Sequence, residues 1–160
     1  MNPFRLVPMT EHHAAAIASW RYPKPYERYN SEPWERLSAE GKGMADPIIR
    51  EKQFRSVLRQ GQLCGFAQWF PLTAEHAQDA ASSIIRLGLG LRPDLCGRGL
   101  GADFVRFIAQ ETAKQHPSAV IDLEVAADNL RAIRAYERAG FRKTDEYIVA
   151  GESIICMEWH

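Results

Sequence analysis

The residues best suited to chemistry begin with Leu91-Arg92-Pro93-Asp94-Leu95-Cys96-Gly97-Arg98-Gly99-Leu100-Gly101-Ala102. An apolar run, Ile84 to Leu91, leads into this stretch. A helical pattern of Leu100, Phe104, Phe107 and Ile108 starts inside it and reaches about Gln115. A glycine-rich turn between a buried strand and a helix directs backbone N–H groups at one point beside the positive helix end. Glycine also removes the Cβ that would keep an anion away. The chemistry this predicts is a phosphate cradle. No Gly-Lys-Ser/Thr closes the turn, and Gly97-x-Gly99-x-Gly101 lacks the G-x-G-x-x-G spacing, so neither common nucleotide loop fits. The turn also lies past the middle of the chain, not in a first βαβ unit. Alone, such a turn is as readily structural as functional.

A second segment, Asp122-Leu123-Glu124-Val125-Ala126-Ala127-Asp128-Asn129 continuing to Gly140-Phe141, shifts that balance. Ala119–Val125 reads as a strand. Asp128 or Asn129 caps a helix carrying Leu130, Ile133 and Tyr136 on adjoining turns, Gly140 stops it, and Phe141 starts another strand.

Together the two segments, which occupy about the last half of the chain, resemble the signature motifs of the GNAT superfamily of acetyl-CoA-dependent N-acetyltransferases. Cys96-Gly97-Arg98-Gly99-Leu100-Gly101 resembles its pyrophosphate loop, usually Arg/Gln-x-x-Gly-x-Gly/Ala. Asn129, Tyr136, Gly140 and Phe141 resemble its later strand–helix motif. The resemblance implies acetyl-CoA as the acyl donor, with Gly97, Arg98, Gly99, Leu100, Gly101 and Ala102 on the pyrophosphate. It puts the backbone of Leu89 and Leu91, and Asn129, along the pantetheine arm. Gly88 and Gly90 would ease the bulge that splays the central strands apart. Cys96 stands where the family usually has Arg or Gln. The loop works mainly through backbone amides, Arg98 can return charge, and no His or Lys nearby in sequence would activate the thiol. Cys96 therefore reads as a small residue in a tight turn.

Acetyl transfer to an amine needs a neutral amine, a stabilised carbonyl oxygen and a protonated leaving thiolate. By resemblance Tyr136 is the acid; by helical spacing alone it would be core. Glu124, or a water relay in its place, is the base by resemblance to Leu-Glu-Val-x-x-x-Asn in enzymes that acetylate protein N-terminal amines. Otherwise it is a strand carboxylate sharing a face with Asp122. A central-strand Glu, used elsewhere in the family, is replaced here by Ile84, Ile85 and Leu87. Trp20, Tyr22, Tyr26 and Tyr29, with Trp34 and Glu27, Glu32 and Glu35, crowd a Pro-rich stretch. There they either hold a cationic amine or pin a loop to the sheet.

The expected activity is transfer of acetyl to a primary amine of a small molecule by direct attack; the alternatives are a peptide or protein N-terminal amine as acceptor and a non-catalytic acyl-CoA sensor. His12, His13, His76, His116 and His160 show no ligand spacing, so no metal is expected. Net charge is zero, which gives no case for nucleic acid or an anionic membrane surface, and no apolar run spans a bilayer. Cys64, Cys96 and Cys156, odd in number and scattered, suggest a reducing compartment, hence a cytoplasmic protein; the family resemblance, not any interface signal, implies a monomer or homodimer.

These residues need a scaffold. Strands are expected at Phe4–Met9, Gln53–Arg59, Leu63–Leu72, about Ser82–Leu91, Ala119–Val125, Phe141–Val149 and Glu152–Trp159. Helices are expected after Thr10, from about Pro33 to Ala39, after the glycine turn and at Asn129–Ala139. Gln60-Gly61-Gln62 reads as a hairpin and Thr73–Ala80 as a loop. The order predicts one α/β domain over 1–160, with acceptor-side elements in 1–47 and a cofactor-binding core in 81–141. Its sheet is mixed and mostly antiparallel, of six or seven strands with about four helices, and its central strands splay into the CoA cleft.

Overall fold

The computed structural model describes residues 2–72 and 83–160. The loop expected over Thr73–Ala80, with His76, and the first residue of the strand expected from Ser82 lie outside the described residues. Two compact units divide the chain: residues 1–68 with 89–96, and residues 69–88 with 97–160.

In the first unit β1 (Phe4–Pro8) pairs antiparallel with β2 (Phe54–Arg59), which pairs antiparallel with β3 (Gln62–Leu72). Gln60 and Gly61 turn the hairpin at φ 53° and 79°, the mirror-type turn whose twist suits paired strands. Helix α1 (Glu11–Ala18) opens on a capping box: Thr10 Oγ1 accepts from His13 N, and His13 Nδ1 accepts from Thr10 N. Helix α2 (Trp34–Glu40) follows Pro33 and stops at Gly41, φ 62°. Helix α3 (Pro47–Gln53) was not expected. Asp46 Oδ1 caps it by accepting from Ile48 N (2.8 Å) and Ile49 N (3.3 Å), and Pro47 occupies the first helical position. Ala14, Ile17, Met44 and Phe54 are buried together, with Trp20, Trp34 and Phe66 packed on them.

In the second unit β4 (Ile84–Leu91, here through Gly88) pairs parallel with β5 (Val120–Ala126). Their ladder runs from Ile84↔Val120 to Leu87↔Leu123, and β5 continues beyond it. Strand β7 (Glu152–Trp159) lies antiparallel between β5 and β6 (Phe141–Val149), and Ala150 and Gly151 turn the β6–β7 hairpin at φ 51° and 81°. Helix α4 (Gly101–Gln115) buries Phe104, Phe107 and Ile108, and its buried Thr112 accepts from Trp69 Nε1 at 2.9 Å. Helix α5 (Leu130–Ala139) ends at Gly140, φ 109°.

Hydrogen-bonded strand order is β1-β2-β3-β4-β5-β7-β6. This is the expected mixed α/β architecture with seven strands. Among the described residues five α-helices stand where about four were expected, α3 being the addition. At Gly90 a Cβ would collide with the Phe66 ring.

Candidate active site

The glycine turn forms as its residues require. Pro93–Leu95 is a single 3-10 turn, and the Cys96 thiol sits inside it, 3.7 Å from both Leu91 O and Arg92 O, as a small turn residue. Gly97 and Gly99 then take φ 75° and 79°, conformations that a Cβ disfavours, and a Cβ on either would meet open space. Arg98 is exposed, and Leu100 and Ala102 are half-buried. Leu100 supplies no capping side chain at the start of the fifteen-residue helix α4. At Gly101 a Cβ would lie 3.4 Å from that of Ala135, so small residues bring α5 close to this helix start. An open, glycine-lined turn leading into a helix without a side-chain cap fits an anionic group such as a pyrophosphate.

Asn129 is buried, and its Oδ1 accepts from Ala132 N at 3.2 Å, capping α5. Tyr136 is half-buried, with its ring 6.1 Å from Phe141 and tilted by 59°.

Glu124 proves to be part of a cluster. Strand alternation puts Asp122 and Glu124 on one face of β5, and the parallel register sets Arg86 across from Asp122. One guanidinium serves both carboxylates. Arg86 Nε and Nη2 donate to Asp122 at 3.1 and 3.0 Å, and Nη1 donates to Glu124 Oε1 at 2.8 Å. The other Glu124 oxygen, Oε2, accepts from the Tyr147 hydroxyl. Cys156, in register with Glu124, sets its thiol 3.6 Å from Asp122 Oδ2.

The electrostatics follow from these contacts. The hydrogen bond to Asp122 drives the Arg86 pKa above its ordinary value. Burial, then the Glu124 bond, raises that of Tyr147, so its hydroxyl remains a donor. Burial, then the Asp122 charge, raises the Cys156 thiol. Burial likewise pushes the Cys64 thiol up to about 11, which leaves it unreactive.

The sequence singled out Glu124 but not Arg86 and Tyr147, which the structure bonds to it. The available signal was Arg86 itself, a charge inside the otherwise apolar run Ile84–Leu91, which must meet a counter-charge on its neighbour.

The aromatic segment is anchored side chain by side chain. The Tyr22 hydroxyl donates to Leu91 O at 2.8 Å, and its N–H donates to Asn30 Oδ1 at 2.6 Å. Trp20 lies 6.5 Å from Phe66, and Tyr26 is half-buried in a turn closed by its N–H on Pro23 O. Tyr29 is 44% exposed, with the Arg28 guanidinium 5.1 Å from its ring centre. Among the described residues no group of His, Cys, Asp and Glu is arranged to hold a metal ion, and no helix is long and apolar enough to cross a membrane.

The family model for the acetyltransferase (GNAT) domain matches residues 4–142. The spermine/spermidine N(1)-acetyltransferase of Bacillus subtilis (strain 168) is 30% identical over 101 residues, covering 62% of this chain and 65% of that protein. The mycothiol acetyltransferase of Corynebacterium aurimucosum is 37% identical over 78 residues, 49% of this chain and 25% of that protein. The chain thus spans under two thirds of the length of either relative. A structure of AAC(6')-Ib with ribostamycin and coenzyme A is similar with TM-score 0.75 at 22% identity, over 98% of this chain and 92% of that one. A chimera of the spermidine N-acetyltransferase SpeG from Vibrio cholerae with hSSAT gives 0.72 at 16%, over 98% and 95%. At those identities the likeness is one of fold.

Proposed function

This chain belongs to the GNAT acetyltransferase family, and on that premise we propose that it transfers acetyl from acetyl-CoA to a primary amine of a small molecule by direct attack. The reading rests on the open Gly97–Gly101 turn leading into α4 without a side-chain cap. Gly97, Arg98, Gly99, Leu100, Gly101 and Ala102 hold the pyrophosphate, with the Leu89 and Leu91 backbone and Asn129 along the pantetheine arm. Bound acetyl-CoA supplies an activated acetyl thioester. Glu124 takes a proton from the acceptor's ammonium, leaving a lone pair for attack, and Tyr136 protonates the departing thiolate. Trp20, Tyr22, Tyr26 and Tyr29 border the acceptor.

Support for a small amine comes from relatives named for spermine and spermidine, and from a fold neighbour in complex with ribostamycin. The Leu123-Glu124-Val125 match favours a second reading, a peptide N-terminal amine. We take 1–160 as one domain that works in the cytoplasm as a monomer or homodimer; none of its three cysteines is in a disulfide. Calorimetric titration with acetyl-CoA, then thiol release on adding polyamines, aminoglycosides and short peptides, tests the proposal. Micromolar binding, about −8 kcal/mol, with release driven by a small amine is expected. Release by peptides alone supports the second reading, and binding without release to any amine overturns both.

A further inference from the structure

We propose that Tyr147 is a positioning residue for proton removal: with Arg86 it fixes the Glu124 carboxylate, and the acceptor's ammonium takes its place on Oε2. The inference rests on Glu124 being the base, as proposed above.

A base must present a lone pair to the proton it removes. Glu124 has both oxygens engaged, and the two partners differ in how readily they can leave. Arg86 is committed on all three nitrogens. It holds Asp122, only 4% exposed, through a two-pronged fork, and Glu124 Oε1 through the third donor. Releasing Glu124 from Arg86 would disturb a buried pair, which is costly. Tyr147 holds Oε2 through one neutral hydroxyl, from β6 at the edge of the sheet, beside exposed Glu146 and Ile148. A charged N–H donor is a better partner for a carboxylate than a neutral hydroxyl. An arriving ammonium therefore displaces Tyr147, not Arg86.

The proton step then balances. The N–H bond breaks with its electron pair staying on nitrogen, and the proton goes to Oε2. The amine and Glu124 are left neutral, and Arg86 stays on Asp122. The charged and titratable groups on this face are Arg86 from β4, Asp122 from β5, Arg142, Asp145 and Tyr147 from β6, and Glu152, Cys156 and Glu158 from β7. Arg86 and Tyr147 are the ones bonded to Glu124.

The test is Tyr147→Phe, with kcat and kcat/KM for the best amine measured by thiol release across pH. The profile of kcat/KM reports the free enzyme, where Tyr147 is on Glu124; that of kcat reports the complex, where it has left. Loss of the hydroxyl is expected to move the acid limb of kcat/KM to higher pH, a drop of about threefold to tenfold on that limb. The acid limb of kcat stays in place, and KM for the amine falls at the plateau. A uniform loss in both profiles, or superimposable profiles, overturns the proposal, and so does a matching shift in kcat. Arg86→Lys, which keeps the charge and loses the fork, is expected to shift both limbs. Glu124→Gln separates the layers. If that variant keeps the acid limb, Glu124 is not the base and both this inference and the assigned base fall, with acetyl transfer itself untouched. If wild type releases no thiol with any amine, the transferase reading falls and this inference falls with it.

Discussion

Strand β5 and the segment between α1 and α2 both carry side chains suited to an amine, and they hold them by different means. On β5, alternation and register decide who meets whom. Asp122 and Glu124 share a face, Arg86 stands across from the first and Cys156 across from the second, and one guanidinium bridges both carboxylates. Between α1 and α2 the contacts are separate ones: the Tyr22 hydroxyl on Leu91 O, the Tyr22 backbone N–H on Asn30, the Arg28 guanidinium against Tyr29. A group held in register shares its partners, so removing one leaves the others unpaired. A tethered group fails alone.

Arg86→Met is the hardest test of that contrast. It leaves the Asp122 carboxylate buried without its cation, at a cost of about 3 kcal/mol in urea unfolding. Adding Asp122→Leu removes the stranded charge and should recover most of the loss. A double variant as unstable as the single one would show that β5 is not coupled in this way.

Asn129→Ala probes a residue assigned two jobs. Loss of its cap on Ala132 N should cost about 1 kcal/mol. Asn129→Asp should restore stability, because aspartate caps as well, while both variants weaken acetyl-CoA binding if the side chain also touches the pantetheine arm. Wild-type affinity in both would leave Asn129 a cap alone.

The same contrast decides what the sequence made legible. Strands β6 and β7 were readable to the residue because Gly140 stops α5 and Ala150-Gly151 turns the hairpin, both local signals at positive φ. Helix α3 was not expected, although Asp46 as a cap with Pro47 in the first turn is a local start signal. Glu124 and its face-mate Asp122 follow from a period of two. Arg86 and Tyr147 come from other strands, and only the β4–β5 and β6–β7 registers bring them in. The tethers of Tyr22 had no sequence signal, since Asn30 lies on an irregular stretch and Leu91 at the end of a strand far along the chain.

Tyr22→Phe should therefore cost little, between about 0.5 and 1 kcal/mol, because Leu91 O loses one donor and the Tyr22 N–H keeps Asn30. A loss as large as that of Arg86→Met, read in the same urea unfolding, would mean that the segment is coupled like the strand.

The smallest effect is a pH dependence in the first unit. The His13 ring lies 2.8 Å from Ser56 Oγ, which is buried, and near Thr10 N as part of the α1 capping box. Burial, then the neighbouring His12, holds its pKa below the ordinary 6.5. The folded protein thus binds this proton less readily than the unfolded chain. The His13 contribution is fully present above the unfolded value and fades as pH falls through the lower folded one. The difference in unfolding free energy between wild type and His13→Gln should accordingly be larger at pH 7.5 than at pH 5. Protonation also turns Nδ1 from an acceptor for Thr10 N into a donor, so the capping box weakens over the same interval. A difference that is constant across that range would show His13 to be held in place by Ser56 and Thr10 without being titrated.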